Sequence, residues 1–388
     1  MKQLFNNENR IAVILKNIEM QSVCSVESLA AKLETTIDTF FNTKDWEPVD
    51  IPHDWMIYDS KDLYAQGVSC YKKTFTVPAL GLDRLSILFE GVYMDNEIFL
   101  NGEKIFTWPY GYSQFEIDLT SYVKEGENTI WVKNTYELPN SRWYPGSGIY
   151  RNVWLVRRPA VHFTTDGGYL AAKKEGDAFI LHADYEIQND TDSACEVTLC
   201  HTVLAPDGKV AGTSKETLTI PCGLTVNKQT MIFEAPLLWD IESPNLYTVH
   251  SEIIKDETAF DSSDDRFGFR TIAFDPDKGF FLNGRNVKIN GSCEHHTLGA
   301  LGAAINREAV RRQLTIMQKM GVNAIRSAHN MPAPELMELC DEMGLLLYTE
   351  SFDMWEHCKT DYDYGNYFKD WWKTDLTSWV RQDRNHPS

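Results

Sequence analysis

At 388 residues, with 43% hydrophobic, 12% aromatic and 24% charged side chains and no biased tract, the chain has the composition of a globular protein of two or three domains. Its formal net charge of -19 at pH 7 repels phosphate backbones and argues against a nucleic-acid partner. The eight cysteines form no CxxC pair and stand beside no histidine at zinc-finger spacing, so they read as scattered reduced thiols, not a structural metal site.

The N-terminal "MKQLFNNENRIAVILKNIEM" holds an apolar run only from Ile11 to Leu15, too short for a signal-peptide core or a membrane span. With no other apolar run of spanning length, a cytoplasmic protein with no membrane partner is expected. Residues 22–41 carry Val26, Leu29, Leu33, Ile37 and Phe40 at helical spacing and predict an amphipathic helix. No role is readable for it, so residues 1–40 are set apart as an N-terminal extension. From Trp46 to about Pro159 the pattern changes to period two, as in Leu85, Ile87 and Phe89, with Asn101-Gly102 as a hairpin turn. Residues 160–274 repeat the β character with a fresh set of strands and a hairpin at Asp207-Gly208.

From residue 275 the pattern differs in kind. A hairpin on Asn283-Gly284 precedes a helix that Asn306 can cap, with Val310, Leu314, Met317 and Met320 on one face. "VNAIRSA" reads as a buried strand. A second helix opens at Pro332 and Pro334 and ends at Gly344, the strand "LLLYTE" follows, and a third helix carries Phe368, Trp372, Leu376 and Trp379. Strands alternating with helices imply parallel pairing through right-handed crossovers, in a barrel or an open doubly wound sheet. No glycine-rich phosphate loop follows the first strand, which favours the barrel.

In a barrel of this type the reactive groups gather at the C-terminal ends of the strands. The first strand ends in Glu294, His295 and His296, the second in Arg326 and His329, and the third in Glu350 and Asp353, with Trp355 close behind. Three strand ends that all carry ionisable groups point to a shared site, because buried charges are costly unless they pair or bind a ligand. Histidine, arginine, carboxylate and indole suit a carbohydrate pocket; they also suit an anionic metabolite. His295, His296 and Glu350 could instead ligate a metal, although no HExxH is present. Glu350 and Asp353 lie three residues apart on one loop, which does not readily place them on opposite faces of a scissile bond.

Several long motifs occur in order: "IPHDW" (51–55), "SRWYPGSGIYRNVWL" (141–155), "FGFR" (267–270), "AIRSAHNMPAPELMELCDEMG" (324–344) and "ESFDMWE" (350–356). With the domain order they give a chain that, from Trp46 to Ser388, resembles glycoside hydrolase family 2, which includes β-galactosidases, β-glucuronidases and β-mannosidases. The resemblance implies a multidomain β plus α/β fold: a jelly-roll sugar-binding β-sandwich over 41–159, an immunoglobulin-like β-sandwich over 160–274, and the first part of a (β/α)8 TIM barrel over 275–388. It also implies retaining hydrolysis of terminal β-glycosides, β-galactosides first and β-glucuronides as the alternative. In that mechanism one Glu protonates the leaving oxygen and a second attacks the anomeric carbon.

In the family the acid/base Glu lies a few residues beyond a run like Asn385-His386-Pro387-Ser388. The chain is therefore expected to end before both catalytic carboxylates and to be inactive alone; a non-catalytic carbohydrate-binding protein is the rival from another class. By the resemblance His295 and His329 contact substrate, Arg326 orients the nucleophile and Glu350 is the polar end of the third strand. Asp353, Trp355 and Asn385 complete the expected substrate-binding set, Asn385 from the turn into the acid/base strand. The magnesium ligands of related β-galactosidases would fall at Met354 and Glu356, so neither a metal nor another cofactor is expected. Where those enzymes present an Asp to the sugar, this chain has Arg142. A carbohydrate is the expected partner, and a homo-oligomer is compatible with the whole protein. Packing is expected of "IPHDW", "SGIYRNVWL", Trp371, Trp372 and Trp379, and a buried or interface ion pair of Arg151.

Overall fold

The computed structural model describes residues 1–15, 46–59, 61–63 and 65–388, so the helix expected over 22–41 lies outside the described residues. The first domain is a sandwich of two antiparallel sheets. One runs in the order Glu47–Val49, Asn9–Leu15, Gly67–Val77, Gly126–Tyr136, Asn96–Leu100, Glu103–Trp108; the other runs Lys2–Leu4, Val153–Arg158, Arg84–Phe89, Phe115–Asp118. Period-two alternation turns Ile87, Phe89, Ile98, Ile130 and Val132 into the space between the sheets, where all are buried. The Asn101-Gly102 turn has φ of 52° and 92°, the positive pair that a two-residue hairpin requires.

The boundary expected at residue 41 is corrected by the pairing. Lys2–Leu4 joins Val153–Arg158, and Asn9–Leu15 joins Gly67–Val77. The start of the chain is therefore part of the sandwich. A three-residue strand is too short to announce a period, and its hydrogen-bonding partners lie far along the chain, where local pattern carries no information.

The second domain packs a sheet of Val161–Glu175, Ala178–Asn189 and Gly223–Glu234 against one of Val210–Ile220, Cys195–Leu204, Tyr247–Lys255 and Thr258–Phe267. Its core contains Leu181, Tyr185, Leu199, Val249 and Phe269. The third domain is the expected strand–helix alternation. Strands Gly291–Glu294, Ala324–Ser327 and Leu346–Tyr348 pair in parallel, joined by helices Arg307–Lys319 and Pro334–Met343 and followed by helix Gly365–Asp383. Asn306 caps the first helix by accepting from the Ala309 amide at 3.0 Å. Gly344 ends the second at φ 70°, where a Cβ would meet the Ile241 carbonyl oxygen at 2.3 Å.

Two buried side chains bind the first domain to the third. The Asp54 carboxylate accepts from the amides of Met56 (3.1 Å), Ser147 (3.0 Å) and Ala303 (2.9 Å) and from the Tyr144 hydroxyl (2.7 Å). Gly146 and Gly302 pack so closely on it that a Cβ at either would lie 2.6 Å or less from its Oδ2. Arg151 corrects the expectation of an ion pair. Its guanidinium is fully buried and donates to the carbonyls of Tyr112 (2.9 Å), Met331 (2.8 Å), Pro332 (3.2 Å) and Glu90 (3.3 Å). Carbonyl dipoles, not a carboxylate, satisfy this cation.

The end of the third helix is fastened to the second domain. Arg381 forks both oxygens of Glu186 at 2.6 and 2.8 Å, and Arg384 donates to the Asp166 carbonyl at 2.6 Å. At the boundary between the first and third domains, Asn152 donates to Glu90 (3.0 Å) and to Glu335 (2.5 Å), so two carboxyls share one amide. Burial, reinforced by repulsion from Glu335, pushes the Glu90 carboxyl up to about 7.

Asp54→Ala leaves three amides and a hydroxyl without their acceptor and is expected to cost roughly 3 kcal/mol or more, read from the urea midpoint. For Glu90 the folded-state pKa lies above the unfolded one, so its neutral form is the one folding favours. Its contribution is present at low pH and is lost as pH rises through about 7. Glu90→Gln, which mimics the neutral carboxyl, is expected to gain stability over wild type progressively between pH 5 and 8; a difference that stays flat across that range would contradict the assignment.

Candidate functional site

The C-terminal ends of the three parallel strands bring the sequence-predicted groups together. Arg326, on the central strand, forks Glu350 from the third, Nε to Oε1 at 2.6 Å and Nη2 to Oε2 at 2.9 Å. The same Nη2 lies 3.0 Å from His329 Nδ1. Glu350 Oε2 lies 3.3 Å from the same Nδ1, so this nitrogen is held between a guanidinium that donates and a carboxylate that accepts. Arg326 Nη1 completes its set on the Cys293 thiol of the first strand, at 3.4 Å. Each strand of the sheet thus contributes to one ionic lattice, which parallel pairing puts in register: Cys293 stands opposite Arg326, and Arg326 opposite Tyr348.

His295 lies beside this lattice, 5.6 Å ring to ring from His329. Burial holds its pKa below the usual value, and the nearby His329 and Arg326 add to the effect. His296 turns inward, its Nε2 donating to the Pro145 carbonyl at 2.7 Å, and burial lowers it to about 4. Both imidazoles are therefore neutral near pH 7. Glu294 turns away from the lattice and lines a cavity with Val310, Leu314 and Met317 of the first helix; burial raises its pKa.

The residue that local reasoning under-weighted is Trp143. It comes from the first domain, on the loop that Asp54 holds, and its indole stacks on His295 (centroids 5.4 Å, 29° between planes) and tilts over His329 (5.5 Å). Its Nε1 donates to the Tyr112 hydroxyl at 3.1 Å. Read in sequence, "SRWYPG" gives Arg142 a place beside the sugar by resemblance and Trp143 no role, because no local pattern says that this loop reaches the mouth of another domain. The signal available was the indole between an Arg and a Tyr in a proline- and glycine-bounded loop.

Asp353 also meets that loop. Its Oδ1 accepts from Arg142 Nη2 at 2.6 Å and from Lys359 Nζ at 3.0 Å. Burial pushes this carboxyl up, but the Lys359 and Arg142 bonds outweigh it and hold the pKa below the ordinary value. Two expected site residues are placed elsewhere. Trp355 is 63% exposed and stacks on Phe368 with centroids 5.9 Å apart, outside the lattice. Asn385, expected to bind substrate, faces the second domain in this structure. Its amide is taken up by the second domain, accepting from Leu170 at 2.9 Å and donating to Gly168 at 3.1 Å. Of the other indoles, Trp371 packs edge-on against Trp108 across the domain boundary, and Trp372 stays exposed on Phe368.

The places of the family's magnesium ligands are held by a buried thioether, Met354, and an exposed carboxylate, Glu356. Among the described residues no group of three or more His, Cys, Asp or Glu side chains is gathered that could hold a metal. The residues present do not fit that ion.

Comparison with known proteins covers all three domains. Residues 43–159 match the family model for the sugar-binding domain of glycosyl hydrolases family 2. Residues 169–270 match the model described as glycosyl hydrolases family 2, and 276–388 that of its TIM barrel domain. A β-galactosidase of Bacteroides ovatus is 40% identical over 366 residues, covering 90% of this chain and 43% of that protein. A β-glucuronidase of Bacteroides fragilis is 30% identical, covering 89% of this chain and 52% of that one. Among solved structures, a β-glycosidase from Bacteroides vulgatus superposes with a TM-score of 0.86 at 34% identity, over 100% of this chain and 49% of its own. The chain spans about half or less of the length of each.

The lattice makes a spectroscopic prediction. In ¹⁵N-resolved imidazole spectra His296 is expected to stay neutral until about pH 4. Glu350→Gln, which removes one charge from the lattice, is expected to shift the His329 resonances while leaving those of His296 in place.

Proposed function

The chain belongs to glycosyl hydrolase family 2, and from that premise we propose that it supplies the sugar-holding frame of a retaining β-glycosidase whose preferred substrate is a β-galactoside. The observation that carries the reading is the Arg326–Glu350–His329 lattice at the ends of parallel strands, walled by Trp143 from another domain. An indole face beside imidazole rings is chemistry for a pyranose: the ring packs its C–H face on the indole while N–H donors meet its hydroxyls. The galactoside preference is supported by the relative of 40% identity that is named a β-galactosidase. Relatives named β-glucuronidase, at 30–36% identity, support a β-glucuronide as the second reading.

Retaining hydrolysis needs one carboxyl to give a proton and another to attack, roughly 5–5.5 Å apart. Each carboxylate of the cluster is already committed to a cation. Both Glu350 oxygens are bound to Arg326, and Asp353 is held ionised by two cations. In the proposed division of labour these groups bind and orient. Glu350 fixes Arg326, the two together orient His329, and Trp143 sets the plane of the sugar. The two reacting carboxylates of the whole enzyme belong to other residues.

Binding and turnover measured side by side on the purified 388-residue polypeptide test this. Methyl β-galactoside is expected to bind, and Trp143→Ala to weaken it about tenfold, the worth of one stacked ring at roughly 1.4 kcal/mol. A nitrophenyl β-galactoside is expected to remain uncleaved. Turnover abolished by Glu350→Gln would overturn the division of labour; failure to bind any β-galactoside or β-glucuronide would overturn the substrate reading.

A further inference from the structure

Arg142 and Lys359 do more than an interdomain ion pair requires. They come from different domains, the first from the loop that carries Trp143 and the second from the loop after the third barrel strand, and they converge on the same oxygen of Asp353. One carboxylate facing two cations leaves one positive charge in excess. That excess stands at the edge of a chain whose formal net charge is -19. Asp353 itself is almost fully buried, with a side-chain exposure of 5%, whereas Arg142 and Lys359 remain 52% and 43% exposed. The acid is thus the anchor and the two cations are its accessible face.

The donor inventory points the same way. A guanidinium has five N–H donors in a planar fork, and among the described residues Arg142 makes a single contact, through Nη2. The cation that fastens the third domain to the second is forked: Arg381 uses two nitrogens on the two oxygens of Glu186. Lys359 spends its ammonium on Asp353, taking both the carboxylate and the main-chain carbonyl, which fixes its position beside Arg142. Trp143 follows Arg142 directly in the chain and forms the wall of the sugar site, and the Asp353 carboxylate is close enough to His295 to act on its titration. The unspent fork therefore borders the sugar site itself.

Resting on the reading of this site as a β-glycoside pocket, we propose that Arg142 and Lys359 form a subsite for an oxyanion carried by the substrate, a carboxylate or a sulfate ester on the bound glycoside. Arg142 is the specificity-determining residue. Its free edge matches two oxygens of such a group in one plane, and Lys359 adds a second, point-like charge. Asp353 is a positioning residue: it holds both cations against their mutual repulsion and touches no ligand. Neutral galactosides enter the same pocket without this contribution.

Titration of the 388-residue polypeptide with galactose, galacturonic acid and galactose 6-sulfate tests the proposal through a ratio of affinities. At low ionic strength the anionic sugars are expected to bind about fivefold to tenfold more tightly than galactose, and the advantage is expected to shrink in 0.5 M salt. Arg142→Gln is expected to bring the ratio to about one, and Lys359→Gln, on an exposed stretch, to lower it part-way without the risk of misfolding. Preference for only one of the two anionic sugars identifies the carboxylate or the sulfate as the group read. A wild-type ratio of one with galactose still bound overturns this inference and leaves the β-glycoside reading standing. A ratio above one that neither substitution moves overturns it as well, and no binding of any of the three sugars overturns both.

Discussion

The mouth of the site is held by a carboxylate that pairs with no cation among the described residues. Asp54 gathers three amides and a phenol from three separate places: its own short turn, the loop that carries Trp143 through Tyr144 and Ser147, and the barrel segment around Ala303. A buried carboxylate is tolerated only when its lone pairs are met, so each donor must arrive for any to be stable there. Because the loop is tied at Tyr144 and Ser147, the indole one residue before Tyr144 has little freedom left, and it lies over His295 and His329. The indole wall of the rim is thus set by hydrogen bonds made away from the rim.

Arg151 complements this with opposite sign. A cation caged by main-chain carbonyls of the first and third domains cannot be swapped for an ion pair without placing a carboxylate where peptide dipoles already stand. Together the two residues make the domain boundary a densely hydrogen-bonded polar surface, in which a small shift would strand several buried groups at once. At the mouth the same economy appears in another form. Glu350 quenches Arg326, and Asp353 quenches half of its two cations, while burial keeps the imidazoles neutral. What remains is a frame suited to holding a polar ring, with its charged groups already fixed in place before a ligand enters.

Much of this frame was legible from local pattern. The Asn-Gly turns, the Asn306 cap and the Gly344 stop each act within a few residues, and all are realised in the structure. The convergence of His295, Arg326, His329 and Glu350 followed from one topological rule, that parallel strands place their C-terminal ends side by side. Contacts between domains were not legible. Trp143, the carbonyl cage of Arg151 and the capture of Asn385 by the second domain join residues whose separation in sequence runs from about 150 to over 200 positions. The opening strand failed for a related reason: three residues are too few to show a period, and only the partner strand defines them.

By itself, then, the sequence determined the elements, their caps and turns, and the residues that parallel pairing must bring to one rim, because these depend on short-range periodicity and sterics. The tertiary structure alone decided which wall closes over that rim, which charges are quenched and which stay available, and which polar residues serve as fasteners. Those outcomes depend on desolvation and on donors and acceptors meeting across domain boundaries. Arg142 is the clearest case. Its identity is plain in the chain, but its half-spent fork on Asp353 exists only because two domains meet there.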